Sequence, residues 1–410
     1  MSDYTITLEL PRSNDGYLFD VGSLYEQLET LDDGRHAKGK VYPLVAVLVF
    51  ALLAKLAGQQ RIRGIAQWVS ERGAWLTAAL GLPLRHNRAG AVRMPCYTTY
   101  SRVLGKAVKE EQLEARVSAY LTACSQSNAL PADTLQISID GKKIRGTLSP
   151  TRPGGVYLLG AYLPHAGLML FQVEISNGQA ELTRAPQLLN ALDLQGKVVT
   201  GDAEFTQRNL SAQIVAAGGD YVWKVKENQP TLYQDIADVF QAPSDAPVPG
   251  FSAPAAGTDF RTAEQWSAGH GRVERRRLTT SRDLKGYSDW PGLEQVFAYE
   301  CVSTQKATGA TTSKLTYGVT SMPPQDACPR CLLHIARGHW GIESGSHYRR
   351  DVTLHEDNAQ LEVGHLAHVM ACLNNLVIGL TVGRRQTNLP EAQRHYDCHP
   401  DQALALILLC

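Results

Sequence analysis

Six runs decide the fold: LQISID (135–140), VYLLGAYL (156–163), LMLFQVEI (168–175), ELTRAPQLLNALDL (181–194), KVVTGD (197–202) and YVWKV (221–225). In the first, Leu135, Ile137 and Ile139 alternate with Gln136 and Ser138, the period of two that a strand imposes, and the run delivers Asp140 at its end. VYLLGAYL and LMLFQVEI read as two further strands parted by a turn cluster at Pro164–Gly167. ELTRAPQLLNALDL spaces its apolar residues as a helix does, KVVTGD is a short buried strand, Gln207 to Ala217 is a second helix, and YVWKV is a strand.

Three consecutive strands imply antiparallel hairpins, and the strand–helix–strand units that follow imply parallel pairing. The order βββαβαβ is that of ribonuclease H-like domains. The expected class is therefore α/β, a ribonuclease H-like mixed-sheet core that sets Asp140 and Asp202 at the ends of neighbouring strands. Around it the chain divides into a helical N-terminal region (1–130) suited to DNA binding, a first part of the core (131–229), a β-rich insertion (230–327), a second part of the core (328–385) and a short helical tail (386–410). In the N-terminal region PCYTTYSRVLGK could form a groove-reading helix, or merely a solvated one.

Lys+Arg and Asp+Glu both total 40, so net charge announces no nucleic-acid partner, and any basic surface must come from local segregation. MSDYTITLEL has no basic start followed by an apolar run, so it is not read as an export signal. PLVAVLVFALLA (43–54) falls short of the ~20 apolar residues of a bilayer span and reads as a buried core helix, which leaves no membrane partner. Eight scattered cysteines fit the reducing cytoplasm, and so a cytoplasmic protein. Cys328 and Cys331 in CPRC admit a structural zinc site with His334 and His339, with two ordinary thiols as the commoner outcome.

Asp140 precedes Gly141, and Asp-Gly alone is as well explained by a turn. Asp202 ends an apolar run that should be buried, where an ionised carboxylate is costly unless paired or metal-bound. In RGHWGIESGSHYRRD, helical spacing sets His339, Glu343, His347 and Arg350 along one polar stripe beside Trp340 and Ile342. Asp140, Asp202 and Glu343 together suit a hard divalent ion, Mg²⁺ first and Mn²⁺ as its substitute, in a two-metal phosphoryl transfer that needs no side-chain nucleophile.

These residues lie in blocks that resemble the ISAs-type, or H-repeat-associated, insertion-sequence transposases within the DDE transposases. The blocks are LDDGRHAKGKVYPL, ISIDGKKIRGT, QLLNALDLQGKVVTGDAEFTQ, GGDYVWKVKENQPTL, GHGRVERR and RGHWGIESGSHYRRDVTLHED. The resemblance implies that Asp140, Asp202 and Glu343 form the acidic triad and hold Mg²⁺. It further implies cleavage and transfer of double-stranded DNA at the element's terminal repeats, by a protein that works as a homo-oligomer on two ends. Candidate DNA contacts are Lys142, Lys143, Arg145, Lys224, Lys226, Arg272, Arg275, His339, His347 and Arg350. The chain departs from the family pattern at His339, Arg350, Ser344 and Asn374. The alternative reading is accordingly a catalytically silent, transposase-derived DNA-binding protein.

Overall fold

In the computed structural model the first core strand does not stop at Asp140 but runs on to Ile144. The structure describes residues 22–409 except 84, 87, 89, 91, 128–135, 151, 176–178, 242–258 and 383–387, together with the backbone of a small hairpin at 12–13 and 16–17. Leu135 and the boundary drawn at residue 131 lie outside the described residues.

Nine strands form one sheet. They are β1 (Gln136–Ile144), β2 (Val156–Leu163), β3 (Leu168–Ile175), β4 (Val198–Gly201), β5 (Asp220–Val225), β6 (Arg261–Gly269), β7 (Arg272–Ser281), β8 (Gln295–Gln305) and β9 (Thr311–Thr320). Their order is β3-β2-β1-β4-β5-β9-β8-β7-β6. β1, β2 and β3 pair antiparallel, while β4 lies parallel to both β1 and β5, the mixed ribonuclease H-like arrangement that the sequence order implies. The β-rich segment adds β6 to β9 to the same sheet through antiparallel pairing of β9 with β5.

The N-terminal region folds as α1 (Leu24–Glu29), α2 (Leu44–Leu56), α3 (Ile62–Glu71), α4 (Gly73–Ala79), α5 (Tyr97–Arg102) and α6 (Glu110–Ser127). All 13 residues of α2 are buried, Lys55 included, which makes it the central helix of a core and not a surface element. The core strands are crossed by α7 (Glu181–Asn190) and α8 (Arg208–Ala216), and α9 (Pro230–Gln241) packs against β9 and β8. α10 (Pro329–Gly338) lies on the sheet, and α11 (Leu366–Val382), α12 (Leu389–Cys398) and α13 (Pro400–Leu408) close the chain. One apolar cluster joins Leu48 of α2, Ile137 of β1 and Leu373 of α11, so the flanking helices and the sheet share a core. Trp68 Nε1 donates to Asp397 Oδ1 at 2.7 Å, tying α3 to α12 across the chain's length.

Candidate active site

The alternation of β1 sorts its chemistry. Ile137 and Ile139 are fully buried on one face, while Gln136, Ser138 and Asp140 share the other. On that face Gln136 Nε2 donates to Thr200 Oγ1 and to the Ile335 carbonyl, both at 3.0 Å, and Ser138 and Thr200 hydroxyls lie 3.1 Å apart. The polar seam locks β1, β4 and α10 together. Ser138 pairs with Thr200 in the parallel ladder, so Asp140 and Asp202, each two residues on, stand level at one end of the sheet.

Asp140 thus sits inside a strand. Gly141 has a packing reason and not a turn reason, because a Cβ there would meet Glu181 Oε1 and the Tyr157 hydroxyl within 2.6 Å. The expectation that Asp202 is buried is overturned. β4 ends at Gly201, which leaves the Asp202 side chain 63 % exposed, whereas Asp140 keeps only 18 % of its side-chain surface. The paired apolar run that suggested burial stops one residue short of the acid.

Glu343 does not lie on a continuous α-helix. α10 ends at Gly338, and the chain continues through two π-helical turns, Glu343–His347 and Arg349–Thr353. Wide turns of this kind occur disproportionately at functional sites. Here the first turn aims His347 back at Glu343. His347 Nδ1 lies 3.4 Å from Glu343 Oε2 and 3.6 Å from Asp140 Oδ2, and one ligand atom from each residue falls within 4.8 Å of the others. Burial, then the Glu343 charge and the hydrogen bond shared with it, push the Asp140 carboxyl up to about 8. Glu343 is held below its ordinary value, first by the His347 ring beside it. Burial also lowers His347, leaving a neutral imidazole at neutral pH.

Asp202 has its own histidine. His339 Nε2 is 3.7 Å from Asp202 Oδ1, and its Nδ1 is 3.3 Å from Thr200 Oγ1. That ring beside it, followed by the charges of His339, Lys224 and Lys226, keeps Asp202 below the usual carboxylate range against the opposing effect of burial. Asp140, Asp202, Glu181, Glu204, Lys226 and Asn228 line a common cleft of ≈ 560 Å³.

Four of the expected DNA contacts are buried. Arg350 is 1 % exposed and pairs with Glu356 at 2.7 Å, while His339 and His347 are 7 % and 6 % exposed and face the acids. Of the expected stripe, His339, Glu343 and His347 face the acids, while Arg350 turns to Glu356. Lys142 is likewise buried, with Nζ 2.5 Å from Asp351 Oδ1. Lys143, Arg145, Lys226 and Arg272 reach solvent, Lys224 is half-buried beside Asp202, and Arg275 is half-buried against Glu300 at 2.9 Å. Cys328 caps α10 with Cys331 Sγ 2.8 Å away, and among the described residues no third Cys, His, Asp or Glu joins them as the zinc reading requires. His334 instead stacks on His165.

Sequence reasoning missed Glu181, whose carboxylate accepts from the Tyr157 hydroxyl beside Asp140 and is raised above its ordinary value chiefly by burial. Its signal was present as an acid opening a helix. That position is so commonly a first-turn charge that it carries little weight alone. The altered positions also have partners: Ser344 donates to the Trp340 carbonyl at 3.2 Å, and Asn374 Nδ2 donates to Glu356 Oε1 at 2.8 Å.

A ribonuclease H-like mixed sheet that carries Asp140 within β1 and Asp202 just past the end of β4, with Glu343 brought to Asp140 by a later helical segment, is the arrangement of acid-centred DDE proteins. The chain belongs to the family described as Transposase DDE domain, whose model matches residues 131–380; residues 25–121 match the DDE_Tnp_1-associated family. It is 27 % identical over 369 residues to the candidate transposase YncI of Escherichia coli O157:H7, covering 88 % of this chain and 87 % of that one. Identity to the H repeat-associated candidate transposase YhhI of Escherichia coli K12 is 25 % over 296 residues, covering 70 % and 73 %. A piggyBac transposase synaptic complex with hairpin DNA gives a TM-score of 0.40 at 10 % identity, covering 94 % of this chain and 77 % of that one.

Proposed function

We propose that this transposase-family chain is a metal-dependent enzyme that cleaves DNA at the ends of its own insertion sequence and joins the freed ends to a target. The observation that carries the reading is the convergence of Asp140 and Glu343 on His347, with Asp202 level with Asp140 across the β1–β4 ladder. Burial, together with the Glu343 charge beside it, pushes Asp140 toward its protonated form and marks a place where a divalent cation would replace the proton. The donor set fits Mg²⁺ or Mn²⁺, held by Asp140, Asp202 and Glu343. Such ions supply activation of a water or 3′-hydroxyl and neutralisation of the leaving oxygen.

The chain's own residues set the stage. The Gln136–Ser138–Thr200 seam fixes β1 against β4, His339 orients Asp202, and the Lys142–Asp351 pair anchors the Glu343 segment to β1. Lys226 at the cleft and Lys143 and Arg145 on and just past β1 offer phosphate contacts near the acids, and Arg272 offers one on the β-arm. Residues 1–130 would act in DNA binding and 230–327 as an insertion within the catalytic core, and two copies would hold the two ends.

The test is cleavage of a duplex carrying the ends that flank the chain's own coding sequence, with Mg²⁺ or Mn²⁺. Asp140→Ala, Asp202→Ala and Glu343→Ala should each lower cleavage at least ~10³-fold while leaving DNA binding in place. Wild-type-like cleavage by either aspartate variant sinks the assignment. Salt-sensitive binding with no nicking by the wild type would favour the silent DNA-binding protein instead.

A further inference from the structure

We infer that His347 Nδ1 is a nitrogen ligand to the ion held by Asp140 and Glu343, so that this ion binds without Asp202 and prefers Mn²⁺ to Mg²⁺. The inference rests on the metal-dependent reading above and specifies how its first ion is held.

His347 is 6 % exposed, so its ring is fixed by packing and reaches the two acids from within the protein. Its Nδ1 lies 3.4 Å and 3.6 Å from their nearest oxygens, too far for the 2.7–3.2 Å of a good N–H···O hydrogen bond. Neighbouring donors on a six-coordinate ion with ~2.1 Å bonds stand ~3 Å apart. His347 Nδ1 therefore has to close on each acid by only about half an ångström for the three donors, already within 4.8 Å of one another, to share one ion, whereas as a hydrogen-bonding group the histidine satisfies neither acid well.

Asp202 stands apart from this group. It is mostly exposed and engaged by His339, and it is not among the residues whose ligand atoms gather within 4.8 Å of one another. The preformed ion site joins β1 to the first π-turn, and Asp202 is left to complete a second ion across the cleft. An imidazole donor suits transition-metal ions, while Mg²⁺ takes oxygen. Mn²⁺ should accordingly outcompete Mg²⁺ for the first position.

The experiment uses the full chain without DNA, titrated with Mn²⁺, read by calorimetry and by pulsed electron paramagnetic resonance for nitrogen coupled to the ion. The wild type should bind one Mn²⁺ with a ¹⁴N coupling that converts to ¹⁵N when the protein's histidines alone are ¹⁵N-labelled. His347→Gln should lose the coupling and weaken binding about tenfold or more. Asp202→Asn and His339→Gln should keep the coupling, and Asp140→Asn should lose it. The labelled wild type decides the point even if His347→Gln does not fold.

Absence of histidine coupling in wild-type protein with bound Mn²⁺, failure to bind Mn²⁺ at millimolar concentration, or coupling that survives in folded His347→Gln overturns the inference. So does loss of the coupling in Asp202→Asn. Cleavage without nitrogen coupling would remove the ligand and leave the enzyme. Coupling without cleavage would do the reverse.

Discussion

Arg350 and Glu356 form an ion pair that is almost wholly removed from water: Arg350 Nε and Nη2 lie 2.8 Å and 2.7 Å from Glu356 Oε2, and Asn374 supplies a donor to the second oxygen. Burial alone would raise Glu356, but the Arg350 charge and these hydrogen bonds win and lower it. Removing one partner strands the other charge. Glu356→Gln should cost ~3–5 kcal/mol by urea unfolding, whereas Arg350→Met/Glu356→Leu should recover most of that loss. A single variant as stable as wild type would show that the pair is not the buried unit described. Lys55 is the converse case, a lysine that burial holds down to about 8 from 10.5. Its folded form sheds a proton that the unfolded chain keeps between those values, so stability contributed here is full above the upper value and lost as pH falls through the lower. Lys55→Met should raise the urea midpoint most near neutral pH, and the advantage should shrink as pH rises past about 8. An advantage independent of pH would contradict the burial argument. At this scale the sequence pointed to Asp140 and Glu343, which do meet, but took Asp202 to be buried when its side chain is exposed. The alternation that exposes Asp202 and shelters Asp140 depends on where each strand stops and on what α7 and the π-turns lay over it.

At the scale of elements, the run His339–Glu343–His347–Arg350 stood out in the sequence because its polarity interrupts an otherwise core-facing pattern. Its geometry was not legible. A π-turn has no propensity signature, and only packing creates it. The packing evidence is Gly345, where any Cβ would collide with the Tyr162 hydroxyl and ring of β2. This glycine lets the first π-turn lie against the sheet and bring Glu343 and His347 to Asp140. Gly345→Ala should therefore weaken Mn²⁺ binding and cleavage together, with a loss of ~1–3 kcal/mol in stability from overpacking. Tyr162→Phe in the same chain removes the nearest clashing atom and should restore part of both. If Gly345→Ala retains full metal affinity, the close approach is not what positions the acids.

Across the whole molecule, the βββαβαβ core could be read from local alternation and helical spacing. The continuation of the sheet through β9 could not, because Tyr317 pairs with Val225 across more than ninety intervening residues and local pattern holds no trace of such pairing. The continuation matters for where DNA can lie. It makes the arm from β6 to β9 continuous with the strands that carry the acids, so Arg272 and Arg277, both exposed on β7, keep a fixed offset from Lys143 and Arg145 near Asp140. A duplex seated on the acids and reaching the arm would have its phosphates neutralised at both places. Replacing Arg272 and Arg277 by alanine should then lower DNA affinity and flatten the slope of log affinity against log salt by about one for each phosphate no longer neutralised. Cleavage at saturating DNA and low salt should stay near wild type, because neither arginine reaches the acids. An unchanged salt slope would place the DNA off the arm. A loss of saturated cleavage would mean instead that the arm acts on the site itself, through the β5–β9 pairing that joins them.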